Sequence, residues 1–223
     1  KQPIITRGQA LAFMTQNYAN RIIIAGTHGK TTTTSLIIHA LRSLAPSYAL
    51  GATFLADNTN ARHANPDYCI IESDESDGSF LLLDPTIAVI TTLDHEHVDY
   101  YPDFTAIETA FIQFARTALA TGWLILNDDD PHLHRLSRTV LNTNNRIIRY
   151  STAAIAYTQT QDHSVYTHDA GQIQLPLLGV HNIGNSLAAL AVMRVLNQPI
   201  YSDIFKTFGG VSRRHQILAS RRN

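Results

Sequence analysis

The chain has 223 residues, enough for one large domain or a domain with a small appendage, and 44% hydrophobic with 16% charged residues describe a core-rich globular protein. A net charge of −1 gives no electrostatic footprint for nucleic acid and none for an anionic membrane surface. Neither an apolar run of membrane-spanning length nor a signal peptide stands out, so a cytoplasmic location is the default expectation.

In chain order, residues from about Arg7 to Tyr18 read as a helix with Ala10, Leu11 and Met14 on one side. Ile22 to Ala25 reads as a buried strand. It stops at Gly26, turns through Gly29 and reaches Lys30-Thr31 at the head of a helical pattern, Leu36, Ile37, Ala40, Leu41 and Leu44, expected to end near Pro46. Asp57 to Pro66 is expected to be a loop, and Tyr68 to Ile71 a second strand. The lone Cys69 within it reads as a small buried hydrophobe that can form no disulfide inside the chain. Ile87 to Ile90 makes a third strand, Phe104 to Leu119 an amphipathic helix and Trp123 to Leu126 a further strand, closed by the turn and cap cluster Asn127 to Pro131. After Arg149 short alternating stretches at Ile155-Tyr157, Val165-Tyr166 and Ile173-Leu175 suggest an antiparallel ribbon. Helices over Asn182 to Leu196 and Ser202 to Phe208 finish the pattern. Strands alternating with helices predict an α/β fold with a mainly parallel, doubly wound sheet.

The chemistry gathers where strands end. A strand, a glycine turn and Lys-Thr at a helix start form a phosphate-binding loop. Gly26 and Gly29 let the backbone approach, Thr27 and His28 complete the nucleotide-binding loop between them, Lys30 neutralises phosphate oxygens, and the Thr31 and Thr32 hydroxyls lie at the helix start, where one can bind Mg²⁺. The spacing is shorter than the common phosphate-loop pattern, because Ile24 stands where that pattern requires a glycine. Lys30 carries a second signal, since a cation at the positive end of a helix calls for an anion beside it. The second strand runs into Glu72-Ser73-Asp74-Glu75-Ser76-Asp77, and Glu72 is placed to supply a hard oxygen to Mg²⁺. A solvated acidic turn is the alternative. The third strand runs into Thr91 to Asp99, whose His97 is a candidate beside a phosphate-bound metal. Surface histidines of a turn, or a zinc site, are the other readings. Asn182 and Asn185, at the opening of a helix, are either plain caps or amides that read an adenine edge.

Together these residues resemble the central, ATP-binding domain of the Mur ligases of bacterial cell-wall synthesis. The resemblance is carried by Gly26 to Thr34, Glu72 to Phe80, Asp94 to Tyr101, Gly179 to Asn185 and Gly209 to Arg214, in order and nearly end to end. The acidic string looks most like the alanine-adding branch, with the branch that recycles murein tripeptide as the alternative, and a non-catalytic nucleotide-binding domain as a third reading. The resemblance implies ATP-dependent ligation of L-alanine to UDP-N-acetylmuramate through an acyl phosphate. It implies Lys30, Glu72 and His97 as the catalytic set, with Thr31 and Glu72 on one Mg²⁺ and Glu72 and His97 on a second. Asn182 and Asn185 would face adenine, and Arg213 or Arg214 would lie near the phosphates. It also implies a division into 1–20 as linker and leading helix, 21–212 as the ATP-binding domain and 213–223 as a hinge. Amino- and carboxyl-terminal domains are the implied partners, without which this piece is expected to bind nucleotide and ligate nothing. The chain departs from the family pattern at Thr92, where Asn is usual, at Ala52, where a second glycine is usual, and at His215-Gln216.

Overall fold

Ile22, Ile23 and Ile24 are fully buried at the centre of a sheet covered on both faces. The computed structural model describes residues 4–139 and 146–212. After α1 (Arg7–Thr15), β1 (Asn20–Ala25) leads into α2 (Lys30–Ala40), and β2 (Pro46–Phe54), β3 (Thr59–Arg62), β4 (Asn65–Glu72) and β5 (Ile87–Ile90) follow. Next come α3 (Phe104–Thr121), β6 (Trp123–Asn127), α4 (Pro131–Thr139) and β7 (Ile147–Tyr150). A ribbon of β8 (Tyr157–Gln159), β9 (Ser164–His168) and β10 (Gly171–Leu175) precedes α5 (Val180–Val195).

The seven-stranded sheet has the order β3-β2-β4-β1-β5-β6-β7, and every pairing in it is parallel except β2 with β3. The ribbon is a separate antiparallel sheet of three strands. Side chains alternate along β1, so Ile22 and Ile24 join Leu36, Tyr166, Leu187 and Phe205 in one core, while Ile23 and Ala25 join Phe80, Phe111, Phe114 and Leu133 in the other. Each buried Ile contributes about 1.5–3 kcal/mol. β1 lies between β4 and β5, the place where a parallel sheet opens a crevice beyond its strand ends. The mainly parallel α/β reading therefore holds. Cys69 is buried, and burial pushes its thiol up to about 12.

Several elements differ from expectation. The leading helix stops at Thr15 rather than Tyr18, and Met14 is exposed while Gly8 and Thr15 are its buried residues. α2 ends at Ala40, and the chain turns through a short 3₁₀ segment into β2, which the sequence did not announce. The expected loop from Asp57 to Pro66 contains β3, a polar edge strand with no apolar alternation to betray it. The helix expected at Ser202 to Phe208 is a run of turns. Ile204, Lys206 and Phe208 each donate to the carbonyl three residues back, and the apolar spacing serves only to bury Phe205 and Phe208. The first ribbon strand begins at Tyr157, two residues later than the apolar residues suggest.

Candidate functional site

β1 delivers the loop at residues 26–29 to the open end of the sheet, and β5 holds it there. Thr27 N–H donates to the Thr92 carbonyl (3.0 Å) and His28 N–H to Thr92 Oγ1 (2.8 Å). Thr91 Oγ1 donates to the His28 carbonyl (2.5 Å), and Asp94 N–H to Thr27 Oγ1 (2.9 Å). Gly26 has φ +132°, and a Cβ there would lie 2.2 Å from Thr91 Oγ1. Gly29 has φ +82° and caps α2 without a side-chain bond, and its Cβ would meet Asn185 Oδ1 at 2.8 Å. An uncapped helix start with free N–H groups is an anion site in its own right. Thr31 is buried and Thr32 half-buried on the first turn. The exposed His28 ring stands 3.6 Å from Glu96 and 3.9 Å from Asp94.

Lys30 folds back over this loop. Its Nζ donates to the Gly26 carbonyl (2.5 Å), the Thr27 carbonyl (3.3 Å) and Glu75 Oε1 (2.7 Å). Glu72, at the end of β4, accepts from Thr31 Oγ1 (2.7 Å) through Oε1 and from Gly51 N–H (2.7 Å) through Oε2. A Cβ at Gly51 would lie 2.9 Å from Glu72 Oε1, so a larger residue there would displace that carboxylate. His97, with φ +57°, places Nε2 3.2 Å from the same Glu75 Oε1 that holds Lys30. Lys30 and Glu72 also line one small cavity of about 130 Å³ with Arg7, Gly51, Ser73 and Asp74. Lys30, Glu72 and His97 thus converge on one end of the sheet. Burial opposes ionisation of Asp74, but hydrogen bonds from Ser76 and the charges of Lys30 and His97 outweigh it and hold the carboxyl below its usual range.

Gly29 lines a larger cleft of about 520 Å³, together with Thr92, Asn127, Tyr150, Thr152, His181 and Asn185. Asn185 accepts from Thr33 Oγ1 (3.1 Å) and donates to Asn182 Oδ1 (3.1 Å). Asn182 lies behind it, 3% exposed, donating to the Leu178 carbonyl (2.8 Å). Asp129, a further wall residue, is held below its usual range by Ser151 and Thr152 hydrogen bonds that overcome the opposing effect of burial. Arg213, Arg214, His215 and Gln216 lie outside the described residues.

Sequence reasoning missed the role of Glu75 and the walls of the cleft. Glu75 stood inside the acidic string, but loop residues have no periodicity to show which acid turns inward. Among the described residues no cluster of three or more His, Cys, Asp or Glu is placed to hold a metal. Thr31 and Glu72 instead offer a hydroxyl and a carboxylate in contact, and this hard-oxygen pair suits Mg²⁺, which takes one or two carboxylates and fills its sphere with phosphate and water.

The family model of the Mur ligase middle domain matches residues 24–193. The UDP-N-acetylmuramate–L-alanine ligase of Syntrophobacter fumaroxidans is 36% identical over all of this chain and half of its own length. Among solved structures, the UDP-N-acetylmuramate-alanine ligase of Thermotoga maritima aligns with 96% of this chain and 50% of its own at a TM-score of 0.79 and 21% identity. The UDP-N-acetylmuramate:L-alanyl-gamma-D-glutamyl-meso-diaminopimelate ligase of Neisseria meningitides aligns with 96% of this chain and 72% of its own at 0.76 and 24%. These two likenesses establish the fold, and the chain spans about half the length of the curated relatives it matches.

Proposed function

The chain belongs to the Mur ligase family, and from that premise we propose that it is the ATP-binding part of an ADP-forming enzyme that joins L-alanine to UDP-N-acetylmuramate. The observation that carries the reading is the convergence of Lys30, Glu72 and His97 on an uncapped helix start at the open end of β1.

In the proposed reaction the muramate carboxylate attacks the γ-phosphorus of ATP, the bond to the β-phosphate oxygen breaks and ADP leaves. The alanine amine then attacks the acyl carbon, loses a proton and expels inorganic phosphate as the amide forms. Within this scheme the chain's residues position and neutralise. The free N–H groups at the start of α2 and the Lys30 ammonium bind the phosphates, so charge moving onto the β-phosphate meets fixed positive groups. Thr31, Glu72 and His97 are the residues that would hold Mg²⁺, which when bound supplies further charge neutralisation. Asn185 and the cleft beside Gly29 take the base, turning the triphosphate toward the small cavity at Glu72. We further propose that domains on either side of this one bring the uridine nucleotide and the amino acid, that Arg213 contributes at a hinge, and that the enzyme works in the cytoplasm.

The test is phosphate release by the intact enzyme. Release is expected only when UDP-N-acetylmuramate and L-alanine are both present, and Lys30→Ala should abolish it. ATP binding without amino-acid-dependent release would overturn the ligase reading, and release that requires tripeptide in place of alanine would move it to the recycling branch.

A further inference from the structure

We propose that Glu75 is a positioning residue that fixes the Lys30 ammonium and the His97 imidazole together through one carboxylate oxygen, an inference that rests on the phosphate-binding reading above.

Glu75 is 1% exposed, so it is not a solvated member of an acidic turn. Burying a carboxylate costs several kcal/mol unless it is paired, and the local fold holds it inward nonetheless. Ser73 ties the start of the turn to the Ile24 carbonyl through both N–H (2.9 Å) and Oγ (2.8 Å). Tyr101 OH (2.8 Å) and Gly78 N–H (3.1 Å) both donate to the Glu75 carbonyl.

The geometry gives this one side chain two tasks. A lysine has three donors, and those of Lys30 meet two loop carbonyls and Glu75. Only Glu75 among the three carries a full charge, and the Thr27 carbonyl, at 3.3 Å, is the weakest partner. Lys30 can therefore exchange Thr27 for a phosphate oxygen while Glu75 and Gly26 keep its arm folded over the loop. If Lys30 left Glu75 instead, a buried carboxylate would lose its main counter-charge.

The second task concerns His97. Glu75 Oε1 lies 3.2 Å from Nε2, and a neutral ring with its proton on Nε2 donates to that carboxylate and keeps the Nδ1 lone pair as its ligand atom. The other Glu75 oxygen, Oε2, is buried with no partner among the described residues.

The test uses Mn²⁺ as probe, with ATP, on the wild-type protein, Glu75→Gln and Glu75→Asp. Binding is read by electron paramagnetic resonance, and nitrogen coordination by the ¹⁴N modulation of the spin echo. Glu75→Gln keeps the shape and removes the charge, so Mn²⁺ affinity should fall about 10–100-fold and the ¹⁴N modulation should weaken at unchanged helix content. Glu75→Asp keeps the charge and should recover part of the affinity. Should Glu75→Gln fail to fold, Glu75→Asp carries the test, with a smaller loss expected. Affinity and modulation equal to wild type in a folded variant would overturn the proposal. Tighter binding would also do so, because Glu75 would then be a competitor for Lys30. If the wild-type protein binds no Mn²⁺ with ATP, the proposed function falls and takes this inference with it.

Discussion

Gly29 lines one cavity and its chain neighbour Lys30 another, and the two differ in kind. The smaller, about 130 Å³, is walled by Arg7, Lys30, Glu72 and Asp74; the larger, about 520 Å³, has Asp129, Tyr150, Thr152, Val180 and Asn185 in its lining. The first is defined by charges that fix one another, Lys30 against buried Glu75 and Thr31 against Glu72. The second mixes apolar wall with hydrogen-bonding side chains, Thr92, Asn127, Thr152 and Asn185, and a single carboxylate, Asp129. A ligand charged at one end and flat at the other would meet ion pairs at the first and a shaped, hydrogen-bonding wall at the second.

The largest expected effect breaks the charged side. Lys30→Ala should abolish binding of both ATP and inorganic tripolyphosphate in calorimetry, and leave Glu75 buried beside only His97. Removing one partner of a buried pair costs about 3–5 kcal/mol, so the melting temperature should drop as well. The double variant Lys30→Ala with Glu75→Ala should lose less stability than the two single losses combined. Next comes Gly29. Gly29→Ala forces a Cβ toward Asn185 Oδ1 at φ +82°, costing about 1–3 kcal/mol of stability by chemical denaturation and weakening nucleotide on both sides. A smaller effect isolates the larger cleft: Asn185→Ala should weaken adenosine and ATP roughly tenfold, the size of one lost hydrogen bond, while tripolyphosphate binds as before. Equal losses for all three ligands would erase the distinction between the cavities.

The smallest effect concerns pH and salt. Asp74 and Asp129 both have carboxyls held below the usual range. A lowered folded value means each stabilises the fold above its unfolded pKa, about 3.9, and that contribution disappears as pH falls through the folded value. Burial opposes both shifts. The two differ in what opposes burial: Lys30 and His97 charges assist the Ser76 bonds at Asp74, while hydrogen bonds from Ser151, Thr152 and Ala153 act at Asp129. Added salt should therefore raise the Asp74 titration point, followed by NMR, and leave that of Asp129 nearly fixed.

What the sequence disclosed follows the same division. The isoleucines of β1 and the loop after them are legible because burial on two faces and a glycine turn leave marks in adjacent residues. α3 is legible because Ile107, Phe111, Phe114 and Ala118 recur on the face that is buried. β3 is not, because it is short, mostly polar and half or fully exposed at an edge. Ser202 to Phe208 misleads because turns can bury Phe205 and Phe208 at helical spacing. Within the site, Glu72 follows from its place after a strand. Glu75 does not, since Tyr101 and Lys30, both distant in the chain, set its direction. Likewise Asn182 and Asn185 look equivalent on paper, yet Asn185 lines the cleft and Asn182 stands behind it.

The fastening of the glycine turn to Thr91, Thr92 and Asp94 carries a consequence for assembly. These bonds join residues more than sixty positions apart, so the turn gains its shape only after β5 has docked beside β1. Local helices can form earlier, because contacts close in sequence form with less entropy loss. Competence to grip phosphate is thus acquired late on the folding route and forfeited early on heating. A bound triphosphate would act in reverse as a clamp between two distant stretches of chain, raising the temperature at which the centre of the sheet comes apart.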